Sequence, residues 1–188
     1  YGSLIAYGGD AGTIVFTGTG DQTITSQFFN PIQNTNIQIN KTAGSVTQNA
    51  QTLYIGFEVI SGTYAIKAGD GEYADYGGYF AAQSPFLIHS GATVSSTGAT
   101  VSLTTGGTNE GTFLLNNYGF TAYMNGTFTN SGTVTFGGDY EFYNDVINDG
   151  TIYLPVNSTL AIHDFTNNGQ FISHPSDTPL TLDSNFTA

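Results

Sequence analysis

The chain has 188 residues, 39% hydrophobic, with fourteen acidic side chains against two basic ones and a net charge of −12; it is long enough for one sizeable domain with a packed core. Lys41 and Lys67 are its only Lys or Arg residues, which excludes a nucleic-acid partner and disfavours an anionic membrane surface, because both are bound through Lys and Arg. The absence of Cys excludes a disulfide framework, a thiolate metal site and a Cys nucleophile, and no apolar run is long enough for a membrane-spanning helix.

The chain opens on Tyr1 rather than Met, the mark expected of a processed or trimmed product. Thr, Tyr, Phe, Ile and Val alternate with Gly, Asn and Ser, the vocabulary of strands and tight turns. No stretch has the periodicity of an amphipathic helix. Residues 12–25 (GTIVFTGTGDQTIT), 47–69 (TQNAQTLYIGFEVISGTYAIKAG) and 91–105 (GATVSSTGATVSLTT) read as strands separated by Gly corners. They are either degenerate early turns of the architecture that follows or a separate small β unit near 1–80. Between them, 68–85 (AGDGEYADYGGYFAAQSP) is Gly- and Tyr-rich and is expected to be a loop.

Residues 105–175 repeat. Asn109-Glu110-Gly111, Asn130-Ser131-Gly132, Asn148-Asp149-Gly150 and Asn167-Asn168-Gly169 recur at offsets of 21, 18 and 19 residues. Apolar residues alternate after each Gly: Phe113 and Leu115, Val134 and Phe136, Ile152 and Leu154, then Phe171. A fixed period near nineteen predicts a parallel β-helix or solenoid, with two or three short strands per turn. In it, Gly would supply a positive-φ corner, and Asn109, Asn130, Asn148 and Asn167 would stack into an amide ladder. The whole of 1–188 is then one β domain. The alternative is an antiparallel β-sandwich with strand donation between subunits, since Asn-Asp-Gly and Asn-Asn-Gly also make good hairpin turns.

The phrases FTNSGTVTFGG, INDGTIYL and FTNNGQFIS resemble those in the N-terminal domains of hyphally regulated cell-wall proteins, a family of yeast cell-wall adhesins. The resemblance covers residues 105–175 only, and the chain differs in lacking Cys. It implies a parallel β-helix, secretion, attachment to the cell wall and a role in adhesion.

Candidate chemistry is sparse. Asp70, Glu72 and Asp75 form an oxygen-rich loop of the type that holds Ca²⁺; no other cofactor is expected. Asp145 and Asp164 share one phase of the repeat, where they would stack as like charges. His163 and Asp164 are adjacent, so in a strand they are expected to point to opposite faces. Tyr73, Tyr76 and Tyr79 offer aromatic area with polar tips for a glycan or a protein partner. Asn40, Asn125, Asn157 and Asn185 begin Asn-x-Ser/Thr sequons, the acceptors for glycosylation in a secreted protein; Asn157, at an expected corner, is the best placed. A covalent Lys cross-link would have to start from Lys41 or Lys67. These features lead first to a non-catalytic, extracellular, cell-surface structural and adhesion domain. Its partners would be other copies of itself or cell-surface glycans and proteins. The second reading is a self-assembling filament or pilus subunit donating the strand GTIVF (12–16). The third is a polysaccharide-active β-helix enzyme.

Overall fold

The computed structural model describes residues 12–24, 35–49, 52–54, 56–67, 79–82, 85–103, 105–174, 180–182 and 186–187. They form strands and no helix: β1 Gly12–Gly18, β2 Gln22–Ile24, β3 Thr35–Gln48, β4 Thr52–Tyr54, β5 Gly56–Lys67, β6 Tyr79–Ala82, β7 Phe86–Ile88, β8 Thr93–Thr97 and β9 Thr100–Leu103. The chain continues through β10 Gly107–Asn109, β11 Thr112–Met124, β12 Phe128–Asn130, β13 Thr133–Asn148, β14 Thr151–Leu154, β15 Thr159–Asn167, β16 Gln170–Ser173, β17 Leu180–Leu182 and β18 Phe186–Thr187. Every pairing among them is parallel. The chain is therefore a β-solenoid, and the antiparallel sandwich is not what forms. A two-residue turn serves an antiparallel pair, whereas here each strand pairs one whole coil away.

Each coil carries three strand runs, here called faces. Face one runs through Phe86, Gly107, Phe128, Val146, Phe165 and Phe186, in register. Face two runs through Thr63, Thr93, Thr112, Thr133, Thr151 and Gln170. Face three joins Tyr140 to Leu160 and Leu180. Neighbouring coils stack at the strand spacing of about 4.8 Å. The early strands belong to the same stack, because β1 pairs with β3 along Gly12–Gly18 and β3 pairs with β5. GTIVF is thus already hydrogen-bonded within its own chain along its whole length.

Alternate side chains turn inward and fill the coil. Val46, Tyr64, Val94, Phe113, Val134 and Ile152 make one buried column on face two. On face one, Gly107 interrupts the aromatic column, and the rings of Phe86 and Phe128 approach across it, stacked with centroids 6.0 Å apart. A Cβ on Gly107 would run into the Phe86 ring. Burying such side chains contributes about 1.5–3 kcal/mol each.

The Asn-x-Gly glycines do not play the part expected of them. Positive φ occurs at Gly18, Gly44, Gly62, Gly91, Gly98, Gly106 and Gly138, but not at Gly111, Gly132, Gly150 or Gly169. What those four need is closeness. A Cβ on Gly132 would lie far inside van der Waals contact with the carbonyl oxygen of Gly111, and Gly150 and Gly169 repeat the arrangement one coil on. The corner is a place where backbone stacks on backbone.

Candidate functional site

The ladder residues occupy one inward column of face one. Asn109 Nδ2 donates to Asn130 Oδ1 at 2.7 Å, Asn130 Nδ2 to Asn148 Oδ1 at 2.7 Å, and Asn148 Nδ2 to Asn167 Oδ1 at 2.6 Å. Each of these donors also reaches a backbone carbonyl of the next coil, at Thr133, Thr151 and Gln170. The same column holds Phe16, Ile39, Val59 and Ile88 in earlier coils. The ladder therefore begins abruptly above Ile88, and the buried Oδ1 of Asn109 has no hydrogen-bond partner. Asn109, Asn130 and Asn148 are wholly buried and hold coils together out of reach of a ligand, while Asn167 is partly exposed.

Tyr73, Tyr76, Asp70, Glu72, Asp75 and Asn185 lie outside the described residues. Tyr79 opens β6, but its side chain is likewise outside them. Asn40, Asn125 and Asn157 are all exposed. Asn157 turns a corner with φ 59°, while the hydroxyl of Ser158 in its sequon is buried and accepts from Gly138 N at 3.0 Å.

Among the described residues, no three His, Asp or Glu side chains gather as a metal-binding group. Asp145 and Asp164 are register neighbours. His163 does not point away from Asp164: its Nδ1 lies 2.9 Å from Asp164 Oδ2. The reason is that alternation breaks within β15 at this corner: Ile162 and Phe165, three residues apart, are both buried, so His163 and Asp164 both stand outward. On face one, Glu58 accepts from Gln38 Nε2 at 2.8 Å and lies 2.7 Å from His89 Nε2. Gln38 first, then His89, holds the Glu58 carboxyl below its ordinary value. Asp21 is held low in the same way by the backbone N–H and hydroxyl of Ser45.

Lys41 is buried, and its Nζ donates to Gly20 O at 2.6 Å and Gln22 Oε1 at 2.9 Å. Neither partner is an Asn or Asp side chain, with which a Lys–Asn or Lys–Asp cross-link would form. Lys67 is exposed.

The sequence pattern did not single out the outward side of face two. One of its columns reads Ser45, Thr63, Thr93, Thr112, Thr133 and Thr151, ending at Gln170. The next outward column reads Thr47, Ala65, Ser95, Leu114, Thr135, Tyr153 and Ile172. Leu114, Tyr153 and Ile172 are 39%, 37% and 45% exposed, three of the five exposed large hydrophobic residues among those described. Neither column holds a charge. The described acidic residues fall on face one (Glu58), on face three (Asp139, Glu141) and at the corners (Glu110, Asp145, Asp149, Asp164), with Asp21 against Ser45 at the N-terminal head of the hydroxyl column.

Comparison with family models, with curated proteins and with solved structures returns no match. The protein is, by its fold, a β-solenoid with a partial asparagine ladder.

Proposed function

We propose that this chain is an extracellular, non-catalytic structural and adhesion domain of a cell surface or cell wall, with other copies of itself or surface glycans and proteins as partners. The observation that supports it is the division of labour in each coil. Inward columns and the ladder satisfy one another, while outward residues form long, regular, hydroxyl-rich arrays. The surface placement comes from the resemblance of the 128–173 phrases to yeast cell-wall adhesins. Displaying the chain on the surface of non-adherent cells is the direct test. Adherence above that of cells carrying the anchor alone is expected, and no gain on any surface tried would sink the reading.

A filament subunit is the second reading. It is favoured by the outer edge of β1, which pairs with β3 on one side and with no other strand among the described residues, because an unpaired strand edge is a template for another chain. Because GTIVF is paired in its own stack, assembly would proceed by stacking solenoid ends. Concentration-dependent fibres by negative-stain microscopy would establish this reading against the first. The polysaccharide-active enzyme has the Asp145–Asp164–His163 corner as its reactive group. Sustained turnover of a polysaccharide, lost in both Asp145→Asn and Asp164→Asn, would overturn the non-catalytic assignment.

A further inference from the structure

We infer that face two is a binding surface for an uncharged polysaccharide, laid along the solenoid axis with its sugar rings on the Leu114–Thr135–Tyr153–Ile172 stripe. The inference rests on the adhesion reading and gives it a ligand class and a location.

Charge supports it first. A protein of net charge −12 repels polyanions and other copies of itself at long range. Apart from Asp21, whose carboxylate lies on Ser45 at the N-terminal head of the hydroxyl column, its described acidic groups are displaced to the other faces and the corners, leaving the outward columns of face two without a charge from Thr63 to Ile172. Lys67 stands only at the far margin, beside Thr97. A neutral ligand meets no unpaired charge there, so no buried ion has to be desolvated without a partner.

Shape and chemistry narrow the class. A pyranose ring has C–H faces and a hydroxyl edge. Face two presents the complement in two parallel rows. The exposed stripe offers aliphatic surface and the Tyr153 ring, which gives rigid contact area at low entropy cost. The Thr112, Thr133 and Thr151 column offers hydroxyls that both donate and accept, one for each coil at about 4.8 Å. The rows stand two residues apart on each strand, about 6.6 Å. That is wide enough for a ring on one row to reach the other with its hydroxyl edge. A second copy of the chain would fit the stripe but not the charge, since pairing brings two strongly acidic bodies together.

The experiment uses the full chain and insoluble β-1,3-glucan and β-1,4-glucan particles, with binding read as depletion from the supernatant. Thr135→Glu places a charge in the stripe. Thr129→Glu places the same charge on face one, at a side chain that is half-buried like Thr135. Tyr153→Ala removes the ring. Expected is binding by the native chain, a tenfold or greater loss in Thr135→Glu and Tyr153→Ala, and native binding by Thr129→Glu, all with native circular dichroism. Failure of the native chain to bind either glucan overturns the inference, as does equal loss in the two Glu variants. A concentration-dependent dimer abolished by Thr135→Glu alone, without glucan binding, assigns the face to a second copy instead. Cells that still adhere while displaying Thr135→Glu would remove the ligand assignment and leave the adhesion reading standing.

Discussion

Truncating Asn130 to Ala tests the ladder at its middle. Asn130 is wholly buried and makes both amide bonds, accepting from Asn109 and donating to Asn148 and to Thr151 O. In the variant, Asn109 Nδ2 keeps Thr133 O at 3.1 Å, but Asn148 Oδ1 loses its amide donor. A newly orphaned buried acceptor costs about 1–3 kcal/mol, and each lost hydrogen bond a further 0.5–1.5 kcal/mol or so, so about 3–5 kcal/mol is expected. Asn109→Ala is the control. Its Oδ1 already lacks a partner, so truncation abolishes one orphan while creating another at Asn130 Oδ1. Only the two donated bonds are lost, about 1–3 kcal/mol. Urea unfolding followed by circular dichroism measures both, with slopes compared because stacked repeats need not unfold in one step. Equal destabilisation by the two variants would refute the reasoning, as would a loss below about 1 kcal/mol for Asn130→Ala.

Three further outcomes are expected. Gly132→Ala should cost far more than Gly91→Ala: the first drives a methyl into the Gly111 carbonyl, while the second meets open space and costs only its positive φ, about 1–2 kcal/mol. Thermal melts of the pair check this, and equal shifts would contradict the backbone-on-backbone account. For Glu58, the depressed folded value means that its stabilisation is fully present above the ordinary value of 4.5 and is lost as pH falls through the lower folded value. Glu58→Gln should therefore flatten the acid limb of stability against pH below 4.5, and an unchanged limb would count against the Gln38–Glu58–His89 arrangement. Gly107→Ala should lower stability by prising Phe86 and Phe128 apart, by about 1–3 kcal/mol as overpacking usually does; a neutral or stabilising change in a urea titration would mean that the slot relaxes.

The solenoid was legible where Asn-x-Gly punctuates it, because a polar residue that must be buried on every coil stands out in sequence. It was obscure before residue 105 for a physical reason. In the same column, Phe16, Ile39, Val59 and Ile88 stack by apolar contact alone, and any aliphatic or aromatic residue serves, so no fixed phrase survives. The glycine role was misread because a close approach leaves no more trace in sequence than a positive φ does. The His163–Asp164 contact was missed because strict alternation fails at a corner. Face two escaped notice because its hydroxyl column becomes a column only when coils are set in register, and steps of 18 to 21 residues blur that alignment.

One coil is much longer than its neighbours. Thr63 pairs with Thr93, thirty residues on, whereas Thr93 pairs with Thr112 and Thr133 with Thr151. Most of the excess falls between β5 and β6, where the chain passes from face two to face three, yet Glu58 still pairs with Leu87 and Thr63 with Thr93. The connection from face two to face three can thus take in nine more residues than its neighbour (twelve steps from Lys67 to Tyr79 against three from Thr97 to Thr100) without shifting any described column, because loop-closure cost grows only as the logarithm of length. Such a stack separates what must be constant from what is free to vary: grafts at this corner, epitope tags or whole peptides, should leave the other faces and their pairing unchanged.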